Sequence, residues 1–385
     1  MACRLGIDVG GTFTDLLLFN ETTGEINLLK TPSTPEDQSV GIFIGIQEII
    51  AKNSLNPADI TALLHGTTIS TNIVLEEKGS RVGLLVTENF EQVLHLARSQ
   101  TPGPLAGWII MEKPDPLADL EQTRGIKERV TARGEIFQPM DEAHAREQVR
   151  ALLDAGVQSL TVSLLHSYAN PKHEERLGEI IRELDGEIPV SLSSQILPEF
   201  REYERTLVTV MNAYVGPSMR RYLTNFEEKL RGINFTPHVN IVRSDGGLMS
   251  VERASDSPVH TMLSGPAGGV SGAAFLAGLA GHPDALGFDM GGTSTDVCHF
   301  AGAYERTYEA ELAGVRLRAP MMAIHTVAAG GGSVLEFDGQ RLRVGPKSAG
   351  ANPGPACYRR GGPLTVTDAN VLLGRIQPAL FPEVF

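Results

Sequence analysis

Ile7-Asp8-Val9-Gly10-Gly11-Thr12-Phe13-Thr14-Asp15 returns almost unchanged as Phe288-Asp289-Met290-Gly291-Gly292-Thr293-Ser294-Thr295-Asp296. Six of the nine positions are identical: Asp, Gly, Gly, Thr, Thr and Asp. A self-similar pair this far apart predicts two related lobes, each giving one copy to a shared site. Apolar residues flank each copy: Leu5 and Leu16-Leu17-Leu18-Phe19 around the first, Leu286 and Val297 around the second. That pattern reads as strand, tight Gly-Gly turn, strand. Glycines let such a loop come close to a ligand and expose peptide N–H groups, which can wrap phosphate oxygens. The Thr hydroxyls add donors. The Asp before the glycines repels phosphate but can hold Mg²⁺, usually through water, and the ion then bridges to the phosphates. The candidate phosphate-binding residues are therefore Gly10, Gly11, Thr12, Thr14, Gly291, Gly292, Thr293 and Thr295. Asp8 and Asp289 are the candidate metal-side acids.

Composition narrows the class. The 385 residues suffice for two domains with sizeable cores. An apolar fraction of 42% and a charged fraction of 21% are those of a soluble globular protein. A net charge of −13 argues against nucleic acid as a main partner. Cys3, Cys298 and Cys357 are widely spaced, which fits a reducing cytoplasm and neither a disulfide scaffold nor a zinc site. Ser264 to Gly281 is uncharged but built of Gly, Ala and Ser, and reads as a close-packed helix of a soluble protein, not a membrane span. No P-loop, dinucleotide fingerprint, GxSxG or HExxH is present.

Alternating βα elements predict an α/β protein with mixed sheets. A helix is expected over Val40 to Ala51, with Thr34 as its cap and Pro35 at its first position. Further helices are expected over Phe90 to Arg98, Arg201 to Tyr214 and Pro217 to Leu230. Residues 101–120, with Trp108, read as an excursion loop. His65, at a strand end before Gly66-Thr67-Thr68, is either a ligand or proton donor or a hydrogen-bonded structural residue. Asp245, in Arg243-Ser244-Asp245-Gly246-Gly247, is either a base or part of an Asp-Gly turn.

The paired hairpins resemble the two phosphate loops of the actin-like ATPase superfamily. Gly265-Pro266-Ala267-Gly268-Gly269-Val270 sits where that superfamily places a connecting helix. Gly6 to Asp15, His65-Gly66-Thr67-Thr68, Ser167 to Pro171, Glu202-Tyr203-Glu204-Arg205, Asn212-Ala213-Tyr214, Ser244 to Gly247, Ser264 to Gly269 and Pro353 to Tyr358 resemble, in order, the hydantoinase A / 5-oxoprolinase family. The resemblance implies an α/β, two-lobed actin-like ATPase (ribonuclease H-like) fold with mixed sheets. It implies an N-terminal region over residues 1–185 and a partial hydantoinase A region over 186–385, with the second lobe incomplete.

The chemistry implied is opening of a cyclic amide, a hydantoin or 5-oxoproline, with ATP and Mg²⁺. The γ-phosphoryl group goes to the ring carbonyl oxygen and water attacks the activated carbon. The resemblance also implies a hydantoinase B-type partner subunit and an oligomer in the cytoplasm. The alternatives are a ketone carboxylase subunit and a non-catalytic nucleotide-binding subunit. Asp8, Asp245, Asp289 and His65 are the candidate catalytic residues, and the resemblance places Asp8 and Asp289 near the Mg²⁺. Related sugar kinases carry an Asp at the start of the connecting helix. Here Ser264-Gly265-Pro266-Ala267 has no acid, and a carbonyl oxygen has no proton to remove.

Overall fold

The computed structural model describes residues 2–10, 13–34, 37–98, 115–312, 315–327, 329–350 and 352–380. Strand β1 (Cys3–Val9) runs antiparallel to β2 (Phe13–Asn20), which pairs antiparallel with β3 (Ile26–Pro32). On its other side β1 is parallel to β4 (Ile60–Thr67). Strands His238–Val242 and Leu248–Ser250 complete a six-stranded mixed sheet beyond β4. The sheet thus draws strands from both sides of residue 185/186.

Strict alternation in β1 sends Cys3, Leu5, Ile7 and Val9 inward. They meet Ile42, Ile46 and Ile49 of helix α1 (Gln38–Lys52) in one core. Each such side chain contributes about 1.5–3 kcal/mol by leaving water. The cap of α1 is Asp37, whose carboxylate accepts from the Ser39 N–H, three residues later than the expected Thr34. Thr34 still serves this end, its hydroxyl accepting from the Gly41 N–H at 3.0 Å. Pro35 lies outside the described residues.

A second, four-stranded sheet is wholly parallel: Val190–Leu192, Ser159–Ser163, β5 (Val82–Thr87) and β6 (Thr123–Ile126), in that order. Every residue of β5 is buried, as expected of a parallel strand covered on both faces. The helix expected over Phe90 to Arg98 is a single turn, Val93–Leu96. Most of the expected excursion loop, including Trp108, falls outside the described residues.

One long helix, Glu202–Gly232, joins the two sheets. Leu207, Val210 and Met211 pack toward the parallel sheet, while Met219, Leu223 and Phe226 enter the first core. Pro217 was expected to separate two helices; the structure runs straight through it. Proline removes the N–H that would bond the Ala213 carbonyl. Ser159 supplies the missing donor, its hydroxyl reaching the Ala213 carbonyl at 3.0 Å.

The connecting helix, Ser264–Leu279, leads into the second hairpin, Asp284–Met290 and Thr295–Ala301, which Ile324–Val327 extends to three strands. Ala267, Val270 and Ala274 form its buried stripe. Among the described residues no helix is long and apolar enough to cross a membrane.

Candidate functional site

Asp8 stands on the face of β1 opposite its buried residues, paired across the hairpin with Asp15 and across the parallel ladder with Gly66. The turn closes through the Gly10 N–H, which donates to the Phe13 carbonyl at 3.0 Å. From below, the Ser33 hydroxyl donates to the Gly10 carbonyl at 2.8 Å and meets the Thr14 hydroxyl at 3.0 Å. Lys30 on β3 pairs with Asp15 at 2.7 Å and lies over the Phe13 ring.

The second hairpin repeats this register: Asp289 opposes Asp296, and the Gly291 N–H donates to the Ser294 carbonyl at 2.9 Å. Its brace is different. The Gly331 and Gly332 N–H groups donate to the Gly291 and Gly292 carbonyls at 2.9 and 2.6 Å. The Thr295 hydroxyl donates to the Ala329 carbonyl. A Cβ on Gly330 would lie 2.7 Å from the Gly292 carbonyl and the Thr293 nitrogen, so only glycine permits this approach. The Gly cluster 330–332 is therefore a buttress under the second loop.

The connecting helix brings the halves together. The Ser264 hydroxyl donates to the Thr67 carbonyl at 2.7 Å and accepts from the Thr67 N–H at 3.0 Å. This pins the helix start to the end of β4, beside Asp8. A Cβ on Gly66 or Gly265 would lie 3.2 or 3.1 Å from the Asp8 carboxylate. Asp8 is exposed to solvent on one side. Crowding by protein on its other sides, then Asp15 and Asp289, push its carboxyl up to about 6, against the pull of Lys30. Burial, and then Asp289, likewise raise Asp296, against the hydroxyl of Thr326. The charge of Asp289, on the second hairpin, thus reaches Asp8 on the first.

Several expected site residues stand elsewhere. Gly10, Gly291, Gly292 and Thr293 lie at the loops, and Gly11 and Thr12 fall outside the described residues. Thr14 and Thr295 were expected to bind phosphate, but period-two alternation turns both inward, where they brace the turns. Asp245 was a candidate base. Its carboxylate is held by Arg243 at 2.8 Å and by the Gly247 N–H of its own turn at 2.9 Å. His65 points away from Asp8 into the core, fully buried, with Nε2 2.6 Å from the Tyr222 hydroxyl and its ring against Phe226. It is a structural residue and not a proton donor to the cleft.

Ser33 and Lys30 were missed, and Gly66 and Gly265, read only as motif residues, were given no place beside Asp8. Only pairing register, which is non-local, places them at the site.

Burial depresses His65 to about 4, from an unfolded value near 6.5. Between those values the unfolded chain binds more protons, so stability is full above pH 6.5 and is lost as pH falls toward 4. The loss attributable to His65 is about 2 kcal/mol at pH 5. Denaturant melts of wild type and His65→Gln at pH 7.5 and 5.0 read it. The gap between the two proteins should shrink by that amount at the lower pH, and a gap independent of pH would refute it.

The sequence profile of the hydantoinase/oxoprolinase N-terminal region matches residues 4–185, and the hydantoinase/oxoprolinase profile matches residues 205–383. The chain belongs to the hydantoinase/oxoprolinase family. Within that family it is 39% identical over 412 residues to 5-oxoprolinase 1 of Arabidopsis thaliana, covering 99% of this chain and 32% of that protein. The nucleotide-free structure of acetone carboxylase, an enzyme of ATP-dependent acetone carboxylation, superposes with a TM-score of 0.85 at 29% identity, over 98% of this chain and 55% of its own. The ATP-dependent caprolactamase of Pseudomonas jessenii gives 0.81 at 33% identity, over 97% and 55%. The fold is the α/β actin-like ATPase fold shared by these two enzymes. The chain spans about a third to somewhat over half the length of the family members it matches.

Proposed function

We propose that this chain is the phosphorylating part of an ATP-dependent enzyme that opens a cyclic amide. The observation that carries the reading is the pair of matched hairpins, whose acids Asp8 and Asp289 hold the same register position, with the charge of Asp289 acting on Asp8. Peptide N–H groups of two Gly-Gly turns would grip phosphate oxygens. The donor set is hard oxygen throughout, which suits Mg²⁺. Among the described residues no group of three or more His, Cys, Asp or Glu is placed to hold an ion alone. Asp8 and Asp289 would therefore hold it with waters and phosphate oxygens, and the ion would supply charge neutralisation.

An amide is a poor electrophile. Attack of its carbonyl oxygen on the γ-phosphorus expels ADP and leaves that oxygen phosphorylated and the ring carbon activated. Water adds there and the ring nitrogen departs as an amine. A second water splits the acyl phosphate to carboxylate and phosphate. The first step needs no base, in keeping with an Asp245 tied to Arg243 and a connecting helix that opens on Ser264. A hydantoinase B-type subunit in an oligomer would complete the hydrolytic half.

A second reading is ketone carboxylation, which shares the phosphorylating step; the likeness to acetone carboxylase favours it. The intact protein with its partner subunit, assayed for ADP release, separates them. A ring amide (5-oxoproline or hydantoin) should raise release at least tenfold. Release that needs acetone and bicarbonate identifies the carboxylase. Stimulation by none of these removes both readings.

A further inference from the structure

We propose that a β-arm of residues 306–322 is a clasp that holds the second Gly-Gly loop in place against the first lobe. The proposal goes beyond the choice of acceptor and rests only on the two hairpins acting as one phosphate clamp. The sheet that carries the second loop has little core of its own. Leu286, Phe288 and Met290 stand where Leu5, Ile7 and Val9 stand in the first hairpin, yet they stay exposed. The other face rests on a small buried cluster, Ala267, Val270 and Met322, with Cys298 and Ile324 against it. Three strands with so small a buried face do not fix their own position. The elements that anchor the sheet do, and the connecting helix is one of them.

The arm is the other. It leaves the sheet between strands Thr295–Ala301 and Ile324–Val327. Arg306–Thr307 pairs with Met321–Met322, and further out Ala310–Leu312 pairs with Val315–Leu317. Its tip, residues 313–314, lies outside the described residues. Along the returning strand Val315, Leu317, Ala319 and Met321 alternate inward, and all four are buried. Val315, Leu317 and Met321 join the core that holds Leu84 of the parallel sheet and Leu207 and Met211 of the long helix. Ion pairs close the rim. Glu309 of the arm meets Arg98 at 3.2 Å, Arg318 of the arm meets Glu199 at 3.0 Å, and Arg98 also holds Glu204 of the long helix.

Hydrogen bonds tie the root of the arm to both halves of the site. The Met322 N–H donates to the Ser244 carbonyl at 2.8 Å. The Ser244 hydroxyl accepts from the Leu263 N–H at 3.0 Å, one residue before the Ser264 latch. Past Met322 the chain enters Ile324–Val327, whose Val327 pairs with Thr295. It then reaches the Gly cluster 330–332, whose N–H groups hold the Gly291 and Gly292 carbonyls. A shift of the arm would therefore carry the second loop, and Asp289 beside it, away from Asp8.

Two variants of the intact protein test the clasp. Leu317→Ala hollows the docked face, and Glu309→Arg sets a third guanidinium beside Arg98 and Arg318. Hydrogen exchange read by mass spectrometry should speed up over residues 284–301, by at least about tenfold in Leu317→Ala and about threefold in Glu309→Arg. Residues 3–20 should stay within about twofold of wild type, because the first hairpin keeps its own core. Calorimetry with Mg·ADP should show Kd raised by similar factors. If Leu317→Ala fails to fold, Glu309→Arg, a change at the rim, decides alone. Unchanged exchange over 284–301, equal acceleration over 3–20, or faster exchange with an unchanged Kd overturns the clasp. If wild type binds no Mg·ADP, the phosphate-clamp reading fails, and the contrast in exchange between the two hairpins then decides the clasp by itself.

Discussion

Asp8→Asn and Asp289→Asn should each lower substrate-dependent ATP turnover by roughly 10²–10³-fold, the scale of losing one preorganised charge-stabilising contact. Asn keeps the shape of Asp and removes the charge. The two residues occupy equivalent register positions in matched hairpins, two residues before each Gly-Gly turn. The charge of Asp289 acts on Asp8, so both would act on the same ion. The double variant should then lose far less than the product of the two single losses, because groups that act as a unit are not additive. Neither substitution should destabilise the fold, since each relieves crowding among like charges. Initial rates of ADP release and a thermal melt of each variant read both statements. Single variants that keep half of wild-type turnover would remove the phosphate-clamp reading.

The largest stability effect is expected far from the cleft, at Glu174. This carboxylate is fully buried and accepts from the Leu164 N–H at 2.8 Å, the Ser193 hydroxyl at 2.6 Å and the Ser194 N–H at 2.8 Å. Ser193 in turn accepts from Arg205, which also donates to the Leu164 and Glu199 carbonyls and stacks on Tyr168. Nearby, Glu128 is held by His173 at 2.7 Å and by the Thr87 hydroxyl. The ends of all four parallel strands are stitched together this way. Glu174→Ala would strand three donors and leave the Arg205 charge without its facing carboxylate. A cost of about 3–5 kcal/mol follows. Urea denaturation followed by circular dichroism measures it, and a loss below about 1 kcal/mol would contradict the network.

Much of the local structure was legible because its causes are local. The alternation of Leu5, Ile7 and Val9 required a half-buried strand, and Gly10-Gly11 required a turn. Asp141 caps helix Glu142–Asp154 by an equally local device, its carboxylate accepting from the His144 N–H at 3.0 Å. Pro217 misled for the same reason. A proline says only that one carbonyl loses its partner, not that Ser159 waits to replace it. Asp37 displaced Thr34 as the cap of α1 because Lys229, 192 positions along the chain, also engages Asp37.

The sequence by itself determined that two equivalent Gly-Gly hairpins exist, that each carries a paired acid, and that apolar alternation buries one face of the first; on the second, Leu286, Phe288 and Met290 stay exposed. Those properties follow from backbone periodicity and from glycine's freedom, both read within nine residues. Tertiary structure alone decided which side chains meet. Alternation gives two faces without saying which looks into a cleft, so Thr14, Thr295 and His65 turned inward while Asp8 turned out. Strand pairing set Gly66 under Asp8, the Ser264 latch brought Gly265 beside it, and Asp289 arrived from 281 residues away. Each of those encounters depends on pairings between distant segments, whose energies no short window of sequence contains.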